Sequence, residues 1–298
     1  MQAGPEAARL VFDWKYLGRG GAERILRTRE GVVDFIMEWK LTGTQLKWLA
    51  IAMMAVDHVG AVVVYGLAFR RGVAYPGWEH VYWAMRTIGR LAFPIFCFLL
   101  SEGFCHTRSR KNYLLRLLAF AVVSEVPFDY ALSGTIVDVD SQNVFFTLAI
   151  GLATIWVMEC LKGKGPLQVM VVLAGCVLSE LVMCDYGLIG IVLIVICHVF
   201  RQNKPWRLVA GTFWLFFGTA LHAAVGLGPG MLMRADMGSL VSYLVDSAVI
   251  EVPGAFAFLL INRYHGEKGI PFPKYFFYAF YPLHLLLLGL LKHRLFWY

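Results

Sequence analysis

Charged residues are scarce in this chain: they make up 16% of its 298 residues, whereas hydrophobic residues make up 59%. A soluble domain of this size could not expose so apolar a composition to water without aggregating. The apolar residues also come in blocks of about 18 to 24, which is the helical length that crosses a ~30 Å hydrocarbon core. Because lipid satisfies no backbone polar group, we predict that these blocks are helices in a lipid bilayer.

The sequence also lacks common motifs of soluble enzymes and metal sites. It contains no G-x-S-x-G nucleophile elbow, no H-E-x-x-H zinc motif and no C-x-x-C pair. We therefore predict no metal and interpret the six cysteines as small core residues. We also predict no nucleic-acid partner despite the formal charge of +7, because the basic residues lie in short loops between apolar blocks.

Nine apolar blocks joined by short loops make one membrane domain, which runs from residue 41 to residue 298. The predicted spans are residues 46–69, 80–104, 113–132, 142–161, 167–184, 186–200, 207–227, 239–261 and 275–292. We therefore predict an all-α integral membrane protein, a polytopic bundle of about nine transmembrane helices.

The charges of the loops alternate along the chain. Loops after the second, fourth, sixth and eighth spans are basic, whereas the intervening loops carry acidic residues such as Asp138, Asp140 and Asp185. By the positive-inside rule the basic loops are cytoplasmic, which predicts a bacterial cytoplasmic (inner) membrane protein with its N-terminus inside and its C-terminus outside. Four basic residues oppose this pattern but are outnumbered: Arg70, Arg71, Lys292 and Arg294.

Residues 1–40 differ from the rest of the chain. They are polar, contain several glycines and lack the compact apolar core of a secretory signal. We interpret them as an N-terminal extension. The sequence leaves two explanations open: translation starts at Met37, or the extension is a flexible or amphipathic cytoplasmic leader.

Ionisable residues recur near the centres of the predicted spans. At ~1.5 Å per residue, Asp57 and His58 lie about ten residues inside the first span, and Arg90 lies at a similar depth in the second. Other spans contribute Glu125, Glu251 and His284. A charge at this depth costs at least ~2.5 kcal/mol, so we predict that these groups face one another in a polar pocket. The alternative is a purely structural ion pair of Arg90 with Glu125 or Asp57.

His58 is the candidate general base, because histidine has an ordinary pKa of about 6.5 and can take and return a proton. Asp57 cannot orient it, since adjacent helical residues point about 100° apart. We expect a carboxylate from another span, such as Glu125 or Glu251, to do so. The competing interpretation is that His58 is a hydrogen-bonded core residue.

Two further features lie between the end of the second span and the end of the third. Arg108, Arg110 and Lys111 form a basic run that could hold a phosphorylated donor, although such a run is also a common topological anchor. Glu125 and Asp129 share one helical face on either side of Pro127, a residue that frees backbone groups and favours a kink beside the pocket.

Residues 41–47 together with Asp57 and His58 resemble the opening of the TraX family, whose plasmid member is associated with N-terminal acetylation of conjugative pilin. Five more segments resemble the family's motifs in the same order: 89–94, 101–104, 124–129, 142–147 and 281–284. The resemblance covers about residue 41 to the end of the chain. It excludes residues 1–40.

The TraX family is also similar to multispan acyltransferases, which pass an acetyl group from cytoplasmic acetyl-CoA to an acceptor through a histidine in an early span. The resemblance implies this role for His58. The predicted catalytic residues are thus His58, Asp57, Arg90 and Glu125. The predicted substrate-binding residues are Glu102, Asp129, Asn143, Glu251 and His284. The basic run of Arg108, Arg110 and Lys111 is predicted to hold the cosubstrate, acetyl-CoA.

The sequence therefore predicts a membrane-embedded acetyltransferase whose acceptor is a pilin N-terminus or a cell-surface component such as a glycan. Two other functions stay open. Mid-membrane acidic residues and histidines also form the proton relays of transporters, although we find no paired halves. The third candidate is an assembly factor for surface appendages that performs no chemistry.

Overall fold

A computed structural model describes residues 40–69, 75–232, 236–273 and 275–296. The predicted N-terminal extension, up to residue 39, and the basic residues Arg70 and Arg71 lie outside the described residues. Every secondary-structure element within the described ranges is helical.

The helical segments follow one another with short connections. They are α1 (Gly43–Val59), a π-helical segment (Gly60–Val64), α2 (Tyr65–Phe69), α3 (Trp78–Gly89), α4 (Ala92–His106), α5 (Arg110–Leu132), α6 (Val144–Cys160), α7 (Gly165–Leu181), α8 (Gly187–Val199), α9 (Lys204–Leu232), α10 (Met237–Glu251), a 3-10 segment (Val252–Phe256), α11 (Ala257–Asn262) and α12 (Phe276–Phe296).

Five helical stretches in the described part of the chain are long and apolar enough to cross a membrane. They are Gly43–Phe69, Trp78–His106, Lys204–Leu227, Met237–Asn262 and Phe276–Phe296. The described part of the chain is therefore all-helical, and its long apolar helices are those of a membrane protein, as predicted. Nine crossings stay a prediction, because the other four predicted spans coincide with the charged helix α5 and with the shorter helices α6, α7 and α8.

Two of the short helices lie at the centre of the bundle. Leu152 and Ile155 of α6, and Ile191 and Ile194 of α8, are completely buried. A helix of 13 residues, such as α8, spans only about 20 Å, which is less than the hydrocarbon core. Neighbouring helices, more than lipid, therefore surround the apolar side chains of α6 and α8.

The interpretation of all six cysteines as core residues is partly wrong. Cys97, Cys184 and Cys197 are buried, but Cys105 and Cys160 are exposed. The two exposed cysteines belong to the last turns of α4 and α6.

Contacts between loops define two ends of the bundle. At one end, which we call the basic end, the Lys204 ammonium donates to the Asn262 carbonyl at 2.8 Å and the Thr44 hydroxyl donates to the Lys268 carbonyl at 2.8 Å. At the opposite end, the backbone N–H of Gln142 donates to the Met183 carbonyl at 2.9 Å. These contacts bring two of the predicted basic loops together at one end, and the acidic loops before α6 and α8 together at the other.

Three long helical stretches lose regular α geometry near their midpoints. The first stretch becomes π-helical at Gly60, the second breaks between α3 and α4 at Arg90, and the third tightens into the 3-10 segment after Glu251. The second and third breaks touch, since a Cβ atom on Gly254 would lie 3.0 Å from the Arg90 carbonyl oxygen. Such discontinuities free backbone groups and are frequent at functional sites.

Candidate functional site

A cavity of about 210 Å³ lies beside the first two helix breaks, where Ala61, Gly89 and Arg90 line its wall. We call it the central cavity. Its polar wall comes from α1, from the end of α3 and from the loop before α8, and it includes Asp57, His58, Arg86, Arg90, Asp185 and Tyr186. Of the six ionisable residues predicted to share a pocket, Asp57, His58 and Arg90 line this cavity, whereas Glu125, Glu251 and His284 do not.

A second histidine orients His58. The Nδ1 atom of His58 lies 2.7 Å from Nε2 of His284 on α12, and Nδ1 of His284 lies 2.7 Å from the Phe280 carbonyl oxygen. A carbonyl only accepts, so His284 carries its proton on Nδ1, and its Nε2 accepts the Nδ1–H of His58. No described residue makes a hydrogen bond to His58 Nε2, so its lone pair is free within the described part of the chain. His58 lines the central cavity, so this free nitrogen can act as a base there.

The expected orienting carboxylate is absent from this pair. Glu251 is bound to Arg90, and Glu125 is bound to Asn143. The sequence could not separate these options, because a histidine and a carboxylate at the same depth both suit the role of orienting His58.

Two ion pairs flank the cavity. Arg86 Nη1 lies 2.5 Å from Asp57 Oδ2, and Arg90 Nη1 lies 2.6 Å from Glu251 Oε1. Arg90 also donates to the Tyr186 hydroxyl at 3.4 Å. The suggested pairing of Arg90 with Glu125 or Asp57 is therefore wrong. Arg90 stands at the break between α3 and α4, which packs against the break that follows Glu251.

Tyr186 has an unusual backbone conformation, with a φ of 63° at the start of α8. Positive φ is costly for a bulky residue, so the neighbouring contacts must hold it. Its ring stacks on Phe93 with centroids 3.7 Å apart and planes 9° apart. The hydroxyl is thereby kept within reach of Arg90.

Gly89 allows Asp57 to approach the end of α3. A Cβ atom at this position would overlap the Asp57 side chain, including its own Cβ. Because that Cβ is attached directly to the α1 backbone, the carboxylate could not simply rotate away. Glycine is therefore required for the Asp57–Arg86 ion pair.

We expect Gly89→Ala to destabilise the protein by about 1–3 kcal/mol or more, because the overlap forces α1 and α3 apart and leaves Arg86 without its partner. Thermal unfolding in detergent, followed by tryptophan fluorescence, measures the effect. Gly226→Ala on α9 is the matched control, since a Cβ there meets nothing within 4 Å. Equal melting temperatures for the two variants would contradict the packing described.

Glu125, Asp129 and Asn143 lie together, but they do not line the central cavity. Asn143 caps α6, accepting from Phe145 N–H at 3.1 Å, and its amide donates to Glu125 and to the Ala121 carbonyl. Asp129 is 1% exposed and accepts the backbone N–H of Asp138 at 2.9 Å. These contacts fasten the end of α5 to the start of α6.

The adjoining loop is acidic and exposed. The Ser133 hydroxyl and the backbone N–H of Asp140 both donate to Asp138 and lower the pKa of its carboxyl. Asp138 is therefore ionised at neutral pH and keeps this end of the bundle negative.

A larger space opens at the basic end. Two adjoining cavities of about 490 and 360 Å³ share the side chains of Lys47, Arg116 and Lys268, and we call them together the vestibule. The vestibule adjoins the central cavity, because four side chains line both: Met54, Phe96, Val144 and Tyr281. These four side chains therefore form the boundary between the vestibule, with its three cations, and the central cavity, with His58.

The model of the TraX protein family matches residues 42–292. The chain belongs to the TraX family. It is also similar to the "Probable fimbrial assembly protein FimC, serogroup H1" of Dichelobacter nodosus, with 29% identity over 259 residues, which are 82% of this chain and 93% of that protein. No solved structure matches the chain. All of the predicted site residues fall within the part that matches the TraX family.

The basic run of this TraX chain does not line the vestibule or the central cavity. The Arg110 guanidinium lies 4.4 Å from the centroid of the Phe104 ring, beside the start of α5. Neither Arg108 nor Lys111 is part of either wall. Glu102 does line the vestibule, where it pairs with Arg201 at 3.4 Å. A donor-binding role for the run stays a prediction.

Sequence reasoning missed several residues of the TraX-family site. Arg86 could have been found, because it precedes Arg90 by one helical turn and shares its face. Asp185 gave no such signal, since it stands in a loop that the charge pattern assigned to the outer surface. Lys268 is 221 residues from Lys47 in the chain, and the packing of its loop on α1 brings the two together.

Proposed function

We propose that this TraX-family protein is a membrane-embedded acetyltransferase in which His58 is the general base. The observation that carries the proposal is the pairing of His58 with His284, which leaves His58 Nε2 without a partner among the described residues, at the central cavity. A base held by a second group is the usual arrangement for activating a nucleophile.

The reaction is the transfer of an acetyl group from acetyl-CoA to an acceptor amine or hydroxyl. His58 Nε2 takes the acceptor's proton while the acceptor atom bonds to the thioester carbonyl carbon. The C–S bond then breaks, and His58 returns the proton to the leaving sulfur, which departs as the free thiol. Throughout, the Nδ1–H of His58 stays bonded to His284, which fixes the ring.

Tyr281 is placed to stabilise the oxyanion of the tetrahedral intermediate. It lines both the vestibule and the central cavity, and its ring centroid lies 5.8 Å from that of His58. Its hydroxyl is buried and has no acceptor for its proton among the described residues. A hydrogen-bond donor that is already oriented in a water-excluded site stabilises the transition state by a few kcal/mol, roughly 2.7–4 kcal/mol in a well-studied protease.

The two substrates approach from opposite ends. The donor enters through the vestibule, so the basic end is cytoplasmic, as the positive-inside rule favours. The acceptor enters where Ser141 and Asp185 line the central cavity. This arrangement accords with nine crossings of a bacterial cytoplasmic membrane, with the N-terminus inside. Lys292, at the outer end, is accounted for by its hydrogen bonds to the last carbonyls of α5.

The charges of the cavity favour an amine as acceptor. Asp57, Arg86, Arg90 and Asp185 line the cavity, where Asp57 pairs with Arg86 and Arg90 pairs with Glu251. The Asp185 carboxylate makes no hydrogen bond or ion pair with any described residue. A free carboxylate attracts an ammonium group. Because the Dichelobacter nodosus relative is named as a fimbrial assembly protein, we propose a pilin or fimbrial N-terminus as acceptor, with a surface glycan as the alternative.

The test uses the purified full chain in nanodiscs with acetyl-labelled acetyl-CoA and a pilin N-terminal peptide. We expect the label on a peptide with a free amino group and none on the same peptide with a blocked one. Label on an added glycan but not on the peptide would move the acceptor to the hydroxyl class. Substrate counter-flow in vesicles, without any labelled product, would overturn the acetyltransferase in favour of a transporter.

A further inference from the structure

The vestibule gathers positive charge that no carboxylate balances. Lys47 of α1, Arg116 of α5 and Lys268 of the loop before α12 line both of its cavities. None of the three forms an ion pair within residues 40–69, 75–232, 236–273 and 275–296. Glu102 is the one acidic group among the described residues of the wall, and Arg201 already binds it.

Aromatic side chains pack against two of these cations, Lys47 and Arg116. The Lys47 ammonium lies 5.5 Å from the centroid of the Phe277 ring, and the Arg116 guanidinium lies 5.5 Å from that of Tyr113. Phe272 and Tyr278 complete an aromatic side of the vestibule. Neighbouring cations repel one another in an empty site, and phosphate groups would neutralise them. The adjacent aromatic rings can stack on a planar base, so the vestibule suits a ligand that carries both groups.

We propose that the vestibule binds the phosphate groups and the base of a nucleotide-bearing donor through Lys47, Arg116 and Lys268. This inference rests on the proposed function, and it moves the donor site away from Arg108, Arg110 and Lys111. Lys47 and His58 lie on one helical stretch, eleven residues apart, which places them roughly 16 Å from each other. In this proposal the donor's acyl arm extends from the vestibule past Met54 and Phe96, which line both cavities, to the general base His58.

Calorimetric titration of coenzyme A into the full chain, in nanodiscs of zwitterionic lipid, tests the site without any chemistry. We expect Lys47→Ala and Lys268→Ala each to weaken binding by about 10-fold, and the double variant by about 100-fold, because each removes a charge-assisted contact to phosphate. Pantetheine, which lacks the phosphates and the base, should bind weakly and equally to all variants. The control is Lys162→Ala with Lys164→Ala, which removes two charges from the same end.

The outcomes separate this proposal from the proposed function. If Arg108→Ala with Lys111→Ala weakens coenzyme A binding and the vestibule variants do not, the proposal is wrong. The proposal is also wrong if Lys47→Ala and Lys268→Ala weaken the binding of anionic phospholipid added to the nanodiscs but leave coenzyme A binding unchanged. The site would then bind lipid headgroups. His58→Ala should bind coenzyme A like the wild type, because His58 is not part of the vestibule wall. If the wild type binds coenzyme A through the vestibule but transfers no acetyl group, the proposed function is contradicted and the donor site is not.

Discussion

Replacing His58 with alanine lowers the expected rate of acetyl transfer by about 10²–10⁴-fold, the usual contribution of a positioned general base. The fold should survive, because His58 lies beside a cavity and its hydrogen bond to His284 is replaceable by water. The measurement is the initial rate of labelled peptide formation at saturating acetyl-CoA, with binding of coenzyme A as the check that the donor site is intact.

His284 provides the graded comparison. His284→Ala removes the acceptor for the Nδ1–H of His58, so the ring loses its fixed tautomer while the base itself is retained. We expect a smaller loss of about 10–100-fold, as for other supporting residues of this kind. His80→Ala, an exposed histidine on α3, should be without effect. A His58→Ala protein that transfers acetyl groups at the wild-type rate would show that His58 is only a packed core residue.

Glu251→Ala is expected to be the most destabilising of the ion-pair substitutions, by about 3–5 kcal/mol, because it leaves the Arg90 guanidinium buried without its carboxylate. The side chains of Arg90 and Glu251 are 13% and 10% exposed, so water cannot replace the partner well. Thermal unfolding in detergent measures the loss. Glu267→Ala, which breaks an exposed pair with His265, should cost no more than about 1 kcal/mol.

A double-mutant cycle tests whether the pair acts as a unit. Combined with Arg90→Met, Glu251→Ala should cost less than the sum of the two single losses, because neither charge is then left alone. Strictly additive losses would mean that Arg90 draws its stabilisation from Asp57 and Asp185 and not from Glu251.

The depth of the ionisable groups was readable from the sequence, because the cost of a charge in lipid depends on its distance from the loops. Asp57, His58, Arg90 and Glu251 do converge on one site. Glu125 has a similar depth but points away from the central cavity, towards Asn143. Depth constrains only one coordinate, and the rotation of α5 about its axis depends on the helices that pack against it.

The cations of the vestibule also could not be located from the sequence, because loop packing decides their positions. The basic run at residues 108–111 is conspicuous in the sequence, yet the cations that line the vestibule come from three separate segments. A hydrogen bond from Thr44 to the Lys268 carbonyl fixes one of these segments against α1. Contacts between segments more than two hundred residues apart leave no periodic signal in the chain.

The sequence by itself determined that this protein is helical and lies in a membrane, since composition and hydrophobic length decide those matters. It also indicated the depth of the ionisable residues, but not which of them meet. Only the tertiary structure decided which groups are partners: His284 for His58, Glu251 for Arg90, and Lys268 beside Lys47. Partners are chosen by helix rotation and by where helices break. Both follow from packing over the whole bundle, which no local stretch of sequence encodes.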